Sequence, residues 1–399
     1  MYFTPIAPMK LEGVIKQDIL ERAELICIES AKLIGNYDTI IIKELINMLR
    51  IVNCYYSNKI ESEGTHPLNI EKAMKKEYSP ESKAKELQNL AIAYINTQTY
   101  LGNLNKDMSP FDTEYLKKIH QHFYSGEGME HFLTMKDGTG TIDMIPGDLR
   151  KRNVKVGNHI PISPDKLETM MSSFQDLYKN ATKFGTKASK LVYILASHHR
   201  LVWIHPFLDG NGRVSRLVLD ALMHYIGIKG YGLWNISRGL ARNNAQYKNL
   251  LAHADEKKTN DYDGRGILSN KGLEHFVNYM LDTAIDQIKY MKHQLQLSTL
   301  SQRVENYVKE SQIGSYYGIK PLPKHSEKLL KELLIKGEIK RGEVKNIIGT
   351  KNRIASSLIK ELLEREYIKS DTPRGNIRLI FGTHFAMKIF PELIPAFNQ

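Results

Sequence analysis

The sequence of 399 residues contains few cysteines and no long apolar segment. Its two cysteines, Cys27 and Cys54, are too few for a disulfide framework, and without a Cys-x-x-Cys pair a thiolate zinc site is also disfavoured. No apolar run reaches the roughly 18–20 residues of a bilayer-spanning helix, so we expect no membrane association. The first residues, MYFTPIAPMKLEG, do not resemble a signal peptide. We therefore expect a protein of the reducing cytoplasm.

Charged residues are abundant and unevenly distributed. Hydrophobic residues make up 42% of the chain and charged residues 25%, which is typical of folded globular proteins and argues against disorder. The formal net charge is +12, and residues 324–383 contain 14 basic and 8 acidic side chains, about half of that excess. A basic surface favours polyanionic partners such as nucleotides, nucleic acid or acidic protein faces, although it often serves solubility alone.

The hydrophobic periodicity predicts a mainly α fold. Apolar residues recur at three- and four-residue spacing through residues 11–101, and one further helix is predicted over Asp107–Leu133. In contrast, residues 136–164 are rich in glycine and proline, which predicts a long loop with, at most, a small hairpin through Val154–Ile160. A loop of this length inside a compact domain is usually functional or mobile.

We predict four regions along the chain. Residues 1–105 form an N-terminal helical region, residues 106–300 a second helical domain, residues 301–323 a linker and residues 324–399 a small C-terminal domain. The linker is inferred from the stretch SQIGSYYGIKPLPKH, in which glycine, proline and tyrosine occur without periodicity. Dimerisation through the N-terminal helices or the C-terminal domain is our expectation for the assembly.

The C-terminal domain has the element order of a winged helix-turn-helix. Three helices are predicted at Ser326–Lys336, Arg341–Ile348 and Thr350–Glu364, followed by two strands within Tyr367–Phe381. The third helix opens with Thr-Lys-Asn-Arg, side chains that a recognition helix uses for phosphates and base edges. Glutamates in the same region would repel phosphates. Docking of another protein is therefore the alternative to DNA binding.

The twelve residues 205–216, HPFLDGNGRVSR, predict an anion site. An apolar helix ends, a glycine-rich turn follows, and a new helix begins. Gly210 and Gly212 allow backbone amides to approach a ligand closely, and the N-terminus of the new helix adds its own N–H groups. Arg213 and Arg216 are three residues apart, so their guanidinium groups lie near each other and can bind phosphate oxygens.

An acidic and a basic side chain accompany this anion site. Asp209 would repel a phosphate unless a divalent cation lies between them, and magnesium prefers such oxygen ligands. His205 lies at the edge of the turn and can accept a proton near neutral pH. Together these groups predict transfer of part of a nucleotide onto a hydroxyl, with a histidine base and with pyrophosphate as the leaving group.

The string HPFLDGNGRVSR resembles the signature of the Fic (filamentation-induced-by-cAMP) family, H-x-F-x-[D/E]-G-N-G-R-x-x-R, at every defined position. The resemblance implies a helical core and a protein adenylyltransferase, which transfers AMP from ATP to a serine, threonine or tyrosine hydroxyl of a protein. It implies His205 as the general base and Asp209 as the Mg²⁺ ligand, with Phe207 anchoring the loop. The phosphate-binding residues that it implies are Gly210, Asn211, Gly212, Arg213 and Arg216.

Two further segments resemble parts of Fic proteins that surround the nucleotide. The loop at 136–164 occupies the place of the family's flap, a hairpin that holds the target segment by strand-like pairing. The predicted flap residues are Val154, Lys155, Val156, Gly157, Asn158, His159 and Ile160, with an ordinary surface loop as the alternative. Downstream, the segment Asn-Asn-Ala-Gln-Tyr ending at Tyr247 resembles the family's segment near the adenine. Packing of Tyr247 in the core is the alternative.

The segment Ser57–Glu61 resembles the inhibitory motif of the family, [S/T]-x-x-x-E-[G/N]. Four-residue spacing places Ser57 and Glu61 on one helix face, so the serine can help to orient the carboxylate. The resemblance implies that Glu61 pairs with Arg216 and leaves ATP misaligned, which would make this an autoinhibited enzyme. The sequence departs from the motif at Ser62, where the family has glycine or asparagine.

Two other functions remain open at this stage. The same scaffold could transfer UMP, phosphocholine or phosphate, because the signature contacts only the shared diphosphate. Alternatively, the chain could be a DNA-binding regulator in which the Fic domain senses a nucleotide with little turnover. The protein target is not identified by the sequence.

Overall fold

The computed structural model describes residues 6–9, 11, 14–35, 37–103, 108–137, 140–260, 262–263 and 266–396. The predicted boundary between residues 105 and 106 lies outside these ranges.

Helices dominate the described residues, and two small sheets accompany them. The helices are α1 (Val14–Lys32), α2 (Thr39–Ile60), α3 (Pro67–Met74), α4 (Ser82–Asn103), α5 (Thr113–Tyr124), α6 (Leu167–Lys183), α7 (Lys187–Ile204), α8 (Asn211–Tyr225), α9 (Ile236–Arg242), α10 (Asn244–Ala254), α11 (Asn270–Gln294), α12 (Leu297–Gln312), α13 (Ser326–Lys336), α14 (Val344–Ile348), α15 (Asn352–Glu364) and α16 (Thr383–Ile389). The strands are β1 (Thr134–Asp137), β2 (Gly140–Asp143), β3 (Glu338–Ile339), β4 (Ile368–Lys369) and β5 (Ile377–Leu379). A mainly α fold with a small hairpin is therefore confirmed.

The centre of the fold is α7. Its residues from Leu191 to Leu201 are buried with the single exception of Tyr193, which is half-buried. A helix that is buried around its whole circumference must be surrounded by other elements, and α7 packs against α1, α6, α8 and α11. Thr186 caps its N-terminus by accepting the N–H of Ser189 at 3.2 Å. The C-terminal end of α7 is therefore fixed in position, and the loop that follows it begins from a rigid helix.

The segment after α5 differs from the sequence prediction. The start of the helix predicted over Asp107–Leu133 lies outside the described residues, and among the described ones the α-helix covers Thr113–Tyr124. It ends there because the Ser-Gly-Glu-Gly segment after Tyr124 favours a turn. A hairpin of β1 and β2 follows, with Thr134 opposite Asp143. This hairpin was not predicted, since its strands are only four residues long. The predicted hairpin at Val154–Ile160 consists of one antiparallel bridge.

The C-terminal residues form a sheet in the order β3-β5-β4, with α13, α14 and α15 packed around it. The three helices and the two strands after them follow the predicted order, whereas β3 between α13 and α14 was not predicted, and the winged-helix assignment stays a prediction. Residues 301–312 of the predicted linker lie in α12, whose amphipathic pattern packs Val304 and Val308 into the core. The irregular part of the linker is therefore shorter than predicted. Among the described residues, no helix is long and apolar enough to cross a bilayer.

Two of the N-terminal helices pack against this C-terminal region. Buried Glu44 on α2 pairs with Lys369 at 2.7 Å and with Arg378 at 3.5 Å. Further along the same helix, the hydroxyl of Tyr56 donates to the carbonyl of Leu393 at 3.1 Å. On α3, the carboxylate of Glu71 accepts the N–H of Thr383. The helix that precedes Glu61 is thus held on one side by C-terminal residues.

Candidate functional site

A rigid turn connects α7 to α8. The chain leaves α7 at His205, whose φ of 52° is left-handed, and enters α8 through Gly210, whose φ is 76°. The side chain of Asn211 closes the turn: its Oδ1 accepts the N–H of Phe207 at 2.9 Å and its Nδ2 donates to the Phe207 carbonyl at 2.8 Å. Phe207 is fully buried, as the resemblance implied. Because the amide of Asn211 is used in this way, only its backbone N–H remains for a ligand.

The two glycines of the turn are required by close neighbours. A Cβ on Gly210 would overlap the ring of Tyr124, and a Cβ on Gly212 would overlap Oε1 of Glu61. The first N–H groups of α8 have no acceptor within the helix, so its N-terminus attracts anions. The carboxylate of Glu61 therefore lies where the sequence predicts a phosphate.

Glu61 pairs with Arg216, as the inhibitory motif implied, whereas Ser57 binds the guanidinium of Arg216 and not the carboxylate that it was expected to orient. Nη2 of Arg216 donates to Oε1 of Glu61 at 2.7 Å and to the Ser57 carbonyl at 3.0 Å, and Nε donates to Oγ of Ser57 at 2.8 Å. The Arg216 side chain is only 1% exposed. Burial alone would raise the pKa of Glu61, but the charge and hydrogen bond of Arg216 outweigh it and hold the pKa below its ordinary value. Glu61 is therefore an anion at neutral pH.

The second arginine of the motif also meets a glutamate, which the sequence analysis did not predict. Nη1 of Arg213 donates to Oε2 of Glu63, two residues after Glu61. On its other side, Nη2 of Arg213 lies 3.1 Å from Oδ2 of Asp209. Both guanidinium groups of the predicted phosphate site are thus paired with carboxylates from the segment at the end of α2. The only sequence signal for Glu63 was its closeness to Glu61.

Asp209 is held by groups from three directions. The hydroxyl of Tyr124 donates to its Oδ2 at 2.7 Å, a contact between residues 85 positions apart that no local pattern indicates. Burial would raise the pKa of Asp209, but Arg213, Tyr124 and the N–H of Gly210 outweigh it and lower the pKa. The ionised carboxylate is 40% exposed and lines a cavity.

This arrangement fits a magnesium ion that arrives with a nucleotide. The described residues contain no cluster of three or more side chains that could hold a metal by themselves. Magnesium does not require such a cluster, since it commonly binds one or two carboxylates together with substrate phosphates and water. Asp209 supplies one such carboxylate next to the N-terminus of α8, where phosphates are predicted.

His205 and Asp209 line the same cavity, which has a volume of about 590 Å³. Burial, followed by the charges of Arg150 and His159, lowers the pKa of His205 to about 4, although Asp209 acts in the opposite direction. The imidazole is therefore neutral at pH 7 and able to accept a proton. The predicted residues that share this cavity with His205 and Asp209 are Glu61, Val154, Lys155, Val156, Gly210, Asn211, Gly212 and Arg213.

A second cavity of about 800 Å³ lies on the other side of His205. Arg216, Tyr247 and the segment Val156–Ile160 line it, and Glu61 borders both cavities. Tyr247 is 2% exposed, and its hydroxyl lies 2.8 Å from Nε2 of the buried His198. Tyr247 is therefore both packed in the core and a lining residue of the cavity, because one edge of it borders that cavity.

The segment Val154–Ile160 lies over both cavities. Val156 and His159 exchange two backbone hydrogen bonds of 3.0 Å, and Gly157 at the turn has a φ of 58°. The ring of His159 binds the carbonyl of Trp203 through Nε2 at 2.7 Å, which attaches the turn to α7. Val156 and Ile160 remain 44% and 73% exposed. A short and largely exposed segment thus lies beside His205.

Comparisons with known proteins match this site. The model of the Fic/DOC family matches residues 110–223. Proteins named protein adenylyltransferase Fic from Drosophila willistoni and Aedes aegypti are 37% identical over 89 residues and 36% identical over 104 residues. These alignments cover 22% and 24% of this chain and 18% and 20% of the relatives. The chain thus spans about a fifth of the length of the curated relatives it matches.

Solved structures share the fold at low sequence identity. Fic-1 from C. elegans (residues 134–508) has a TM-score of 0.54 and 16% identity, covering 71% of this chain and 74% of that chain. A Fic domain-containing signalling protein from Bacteroides thetaiotaomicron has a TM-score of 0.50 and 18% identity, covering 68% and 95%. The fold and the site define a helical protein with an anion-binding helix terminus beside a histidine. Residues 110–223 match the model of the Fic/DOC family, so over this stretch the chain is similar to Fic proteins.

Proposed function

We propose that this protein is an adenylyltransferase that transfers AMP from ATP to a hydroxyl group of a protein, including itself. The observation that carries the proposal is the single cavity in which His205 and Asp209 face the N-terminus of α8. The curated relatives that match this domain are named protein adenylyltransferase Fic.

Each side chain of the site has a role in this reaction. The neutral His205 accepts the proton of the attacking hydroxyl, for which its lowered pKa leaves it available at pH 7. The amides of Asn211 and Gly212 and the guanidinium groups of Arg213 and Arg216 bind the triphosphate. Asp209 would hold Mg²⁺, which neutralises charge on the phosphates when bound.

The remaining predicted residues surround the two substrates. The exposed segment Val154–Ile160 binds the target by strand-like pairing and presents its hydroxyl to His205. The cavity beside Tyr247 accommodates the base of the nucleotide. Two carboxylates near that cavity, those of Asp255 and Glu256, can accept hydrogen bonds from the exocyclic amine of adenine.

We also propose that Glu61 inhibits this transfer. Its carboxylate lies at the N-terminus of α8 and occupies Nη2 of Arg216, so that a triphosphate cannot take its full set of contacts. ATP held without those contacts has its α-phosphate out of line with the attacking hydroxyl, and a misplacement of about 1 Å can reduce a rate a hundredfold.

Mass spectrometry of the Glu61→Gly variant after incubation with ATP and Mg²⁺ tests both proposals. We expect more AMP on the variant than on the parent chain. The matched control carries His205→Ala in addition and should contain no AMP, because the base is missing. Equal incorporation in parent and variant would show that Glu61 is not inhibitory, and absence of any adduct would reject the transferase.

The same experiment separates AMP transfer from the other reactions of this scaffold. Parallel incubations with UTP, GTP and CDP-choline report the donor, since each leaves an adduct of different mass. We expect ATP to give the largest incorporation, as the names of the curated relatives suggest. Asp255 and Glu256 disfavour UTP in particular, because uracil has no exocyclic amine to donate to them. A larger UMP or phosphocholine adduct would assign the domain to that reaction instead.

For residues 324–399 we propose a docking function, and the exposed start of α15 is the surface that supports it. Lys351, Asn352 and Arg353 are exposed there. DNA binding predicts an affinity that falls steeply with salt and is lost when all three are replaced by alanine. If DNA binding were independent of salt or absent, a protein would be the partner of this surface. The domain would then regulate AMP transfer and not transcription.

A further inference from the structure

Arg150 is a buried arginine whose guanidinium binds main-chain carbonyls. The residue is 4% exposed. Its Nε donates to the carbonyl of His205 at 2.7 Å, its Nη1 donates to that of Arg152 at 3.0 Å, and its Nη2 donates to that of Ile162. The backbone N–H of Arg150 also donates to the carbonyl of Pro206 at 2.9 Å. Within the described parts of the chain, no carboxylate forms an ion pair with this guanidinium.

The carbonyls that Arg150 binds belong to two functional segments. Arg152 and Ile162 stand at the two ends of the flap hairpin Val154–Ile160, so one guanidinium closes the base of that hairpin. The His205 carbonyl belongs to the residue that carries the base of the proposed reaction. A planar group with five donors in a fixed fork can hold such carbonyls at set positions, which a lysine ammonium cannot do to the same degree.

The backbone of His205 needs such a restraint. Its φ of 52° is left-handed, and residues with a Cβ adopt this conformation where their surroundings impose it. The restraint comes from the bond between its carbonyl and Nε of Arg150 and from its own N–H, which donates to Leu201 at 3.1 Å. Removing the guanidinium removes the hydrogen bond to the His205 carbonyl and the hydrogen bonds at both ends of the hairpin.

We propose that Arg150 is a positioning residue that fixes the flap hairpin relative to the imidazole of His205, and thereby places the attacking hydroxyl next to its base. The inference rests on the proposed AMP transfer. Arg150 lines neither of the two cavities, so it acts on the reaction through the segments that it joins and through its positive charge, which lowers the pKa of His205 and is retained in Arg150→Lys.

The test compares Arg150→Met and Arg150→Lys in the full chain carrying Glu61→Gly, with Lys151→Met as the matched control. Lys151 is an exposed neighbour that pairs with Asp148 at the surface. Self-modification is followed as a function of Mg-ATP concentration, and hydrogen–deuterium exchange is measured over residues 152–162 and 204–212.

We expect Arg150→Met to lower the maximal rate at least about tenfold, because small misplacements of reacting groups have effects of this size. The ATP concentration for half-maximal rate should stay within about twofold, since the phosphate-binding residues are untouched. Exchange should become faster over residues 152–162. Arg150→Lys should recover part of the rate, and Lys151→Met should match the parent.

Three results would overturn the inference. The first is an unchanged maximal rate. The second is a change in the ATP concentration for half-maximal rate as large as the change in maximal rate, which would indicate a nucleotide-binding role. The third is unchanged hydrogen–deuterium exchange in the hairpin. If Arg150→Met does not fold, the lysine variant decides by the same measurements. If the Glu61→Gly parent transfers no AMP, the proposed function fails, and faster exchange at residues 152–162 in the Arg150 variants still decides whether this side chain holds the hairpin.

Discussion

Oε1 of Glu61 lies 2.7 Å from Nη2 of Arg216, and the same guanidinium binds Ser57 through Nε and Nη2. The arginine therefore has two kinds of partner on α2, one carboxylate and one serine. Loss of the carboxylate leaves a buried positive charge without a counterion but still attached to the helix. A phosphate group is the natural replacement for that carboxylate, because it offers the same charge and oxygen acceptors.

Without nucleotide, the Glu61→Gly variant should be less stable than the parent. Mg-ATP should then stabilise the variant more than it stabilises the parent. We expect a loss of about 2 kcal/mol in the free energy of unfolding, since Arg216 is fully buried while Glu61 remains partly exposed. Mg-ATP should raise the melting temperature of the variant more than that of the parent, because binding to the native state stabilises it. Thermal unfolding with and without Mg-ATP provides the measurement. Equal shifts in the two proteins would contradict the idea that Glu61 and phosphate compete.

Glu63 should contribute a weaker second inhibitory contact. Its side chain is 37% exposed, so its pair with Arg213 is partly screened by water. We expect Glu63→Gln alone to raise AMP incorporation by no more than about fivefold, the range of a partly exposed ion pair. The double variant with Glu61→Gly should exceed either single variant. Glu77→Gln, an exposed glutamate on the segment after α3, is the matched control and should behave as the parent. If the double variant were no more active than Glu61→Gly, the contact between Glu63 and Arg213 would not be inhibitory.

The end of α2 explains why the inhibitory motif has glycine or asparagine where this chain has Ser62. The N–H of Glu63 donates to the carbonyl of Asn58, and the N–H of Ser62 donates to that of Lys59, both at 3.0 Å. This is the Schellman pattern of a helix C-terminus, which requires a left-handed residue at the position of Ser62. Its φ is 64°.

Ser62→Gly should therefore stabilise the protein. A residue with a Cβ loses roughly 1–2 kcal/mol in the left-handed region, and glycine avoids most of this loss, so we expect a gain of about 1 kcal/mol in the free energy of unfolding. Ser62→Ala is the control and should bring no gain, because it keeps the Cβ. Denaturant unfolding of the three proteins decides the matter. A glycine variant no more stable than the alanine variant would mean that the serine is not strained here.

Local patterns were sufficient for the loop between α7 and α8. Its glycines, its asparagine and its helix start lie within twelve residues, and their roles follow from backbone geometry over that short distance. The same holds for Ser57 and Glu61, whose four-residue spacing places them on one face of α2. Even so, the partner of that face, Arg216, was assigned through the family resemblance and not through any physical pattern.

Contacts between distant segments could not be obtained in this way. Tyr124 reaches Asp209 across 85 positions, and Arg150 binds carbonyls whose location depends on how the loop after β2 folds. The hairpin of β1 and β2 was missed because its strands are only four residues long, too short for a clear alternation of apolar and polar side chains. The linker was placed too early, since the amphipathic period of α12 continues to Gln312.

Buried histidines should make the stability of this protein depend on pH. Burial lowers the pKa of His120 to about 4, that of His198 to about 3 and that of His205 to about 4. In the unfolded chain a histidine titrates near 6.5, so between about pH 6.5 and 4 the unfolded state binds more protons than the native state. The free energy of unfolding should therefore fall as the pH is lowered through this window, by about 1.4 kcal/mol per pH unit for each such histidine.

Denaturant unfolding at several values between about pH 6.5 and about pH 4.5 measures the slope. Replacing the buried His198 by asparagine removes one titrating group and should reduce the slope by about 1.4 kcal/mol per pH unit. Replacing the exposed His293 by glutamine is the control and should leave the slope nearly unchanged. If both variants kept the slope of the parent, the pH dependence would come from carboxylates instead, and the neutral state of the buried imidazoles at pH 7 would lose its support. Because partial burial also lowers the pKa of His205, the same result would weaken its assignment as a base that is free of protons at neutral pH.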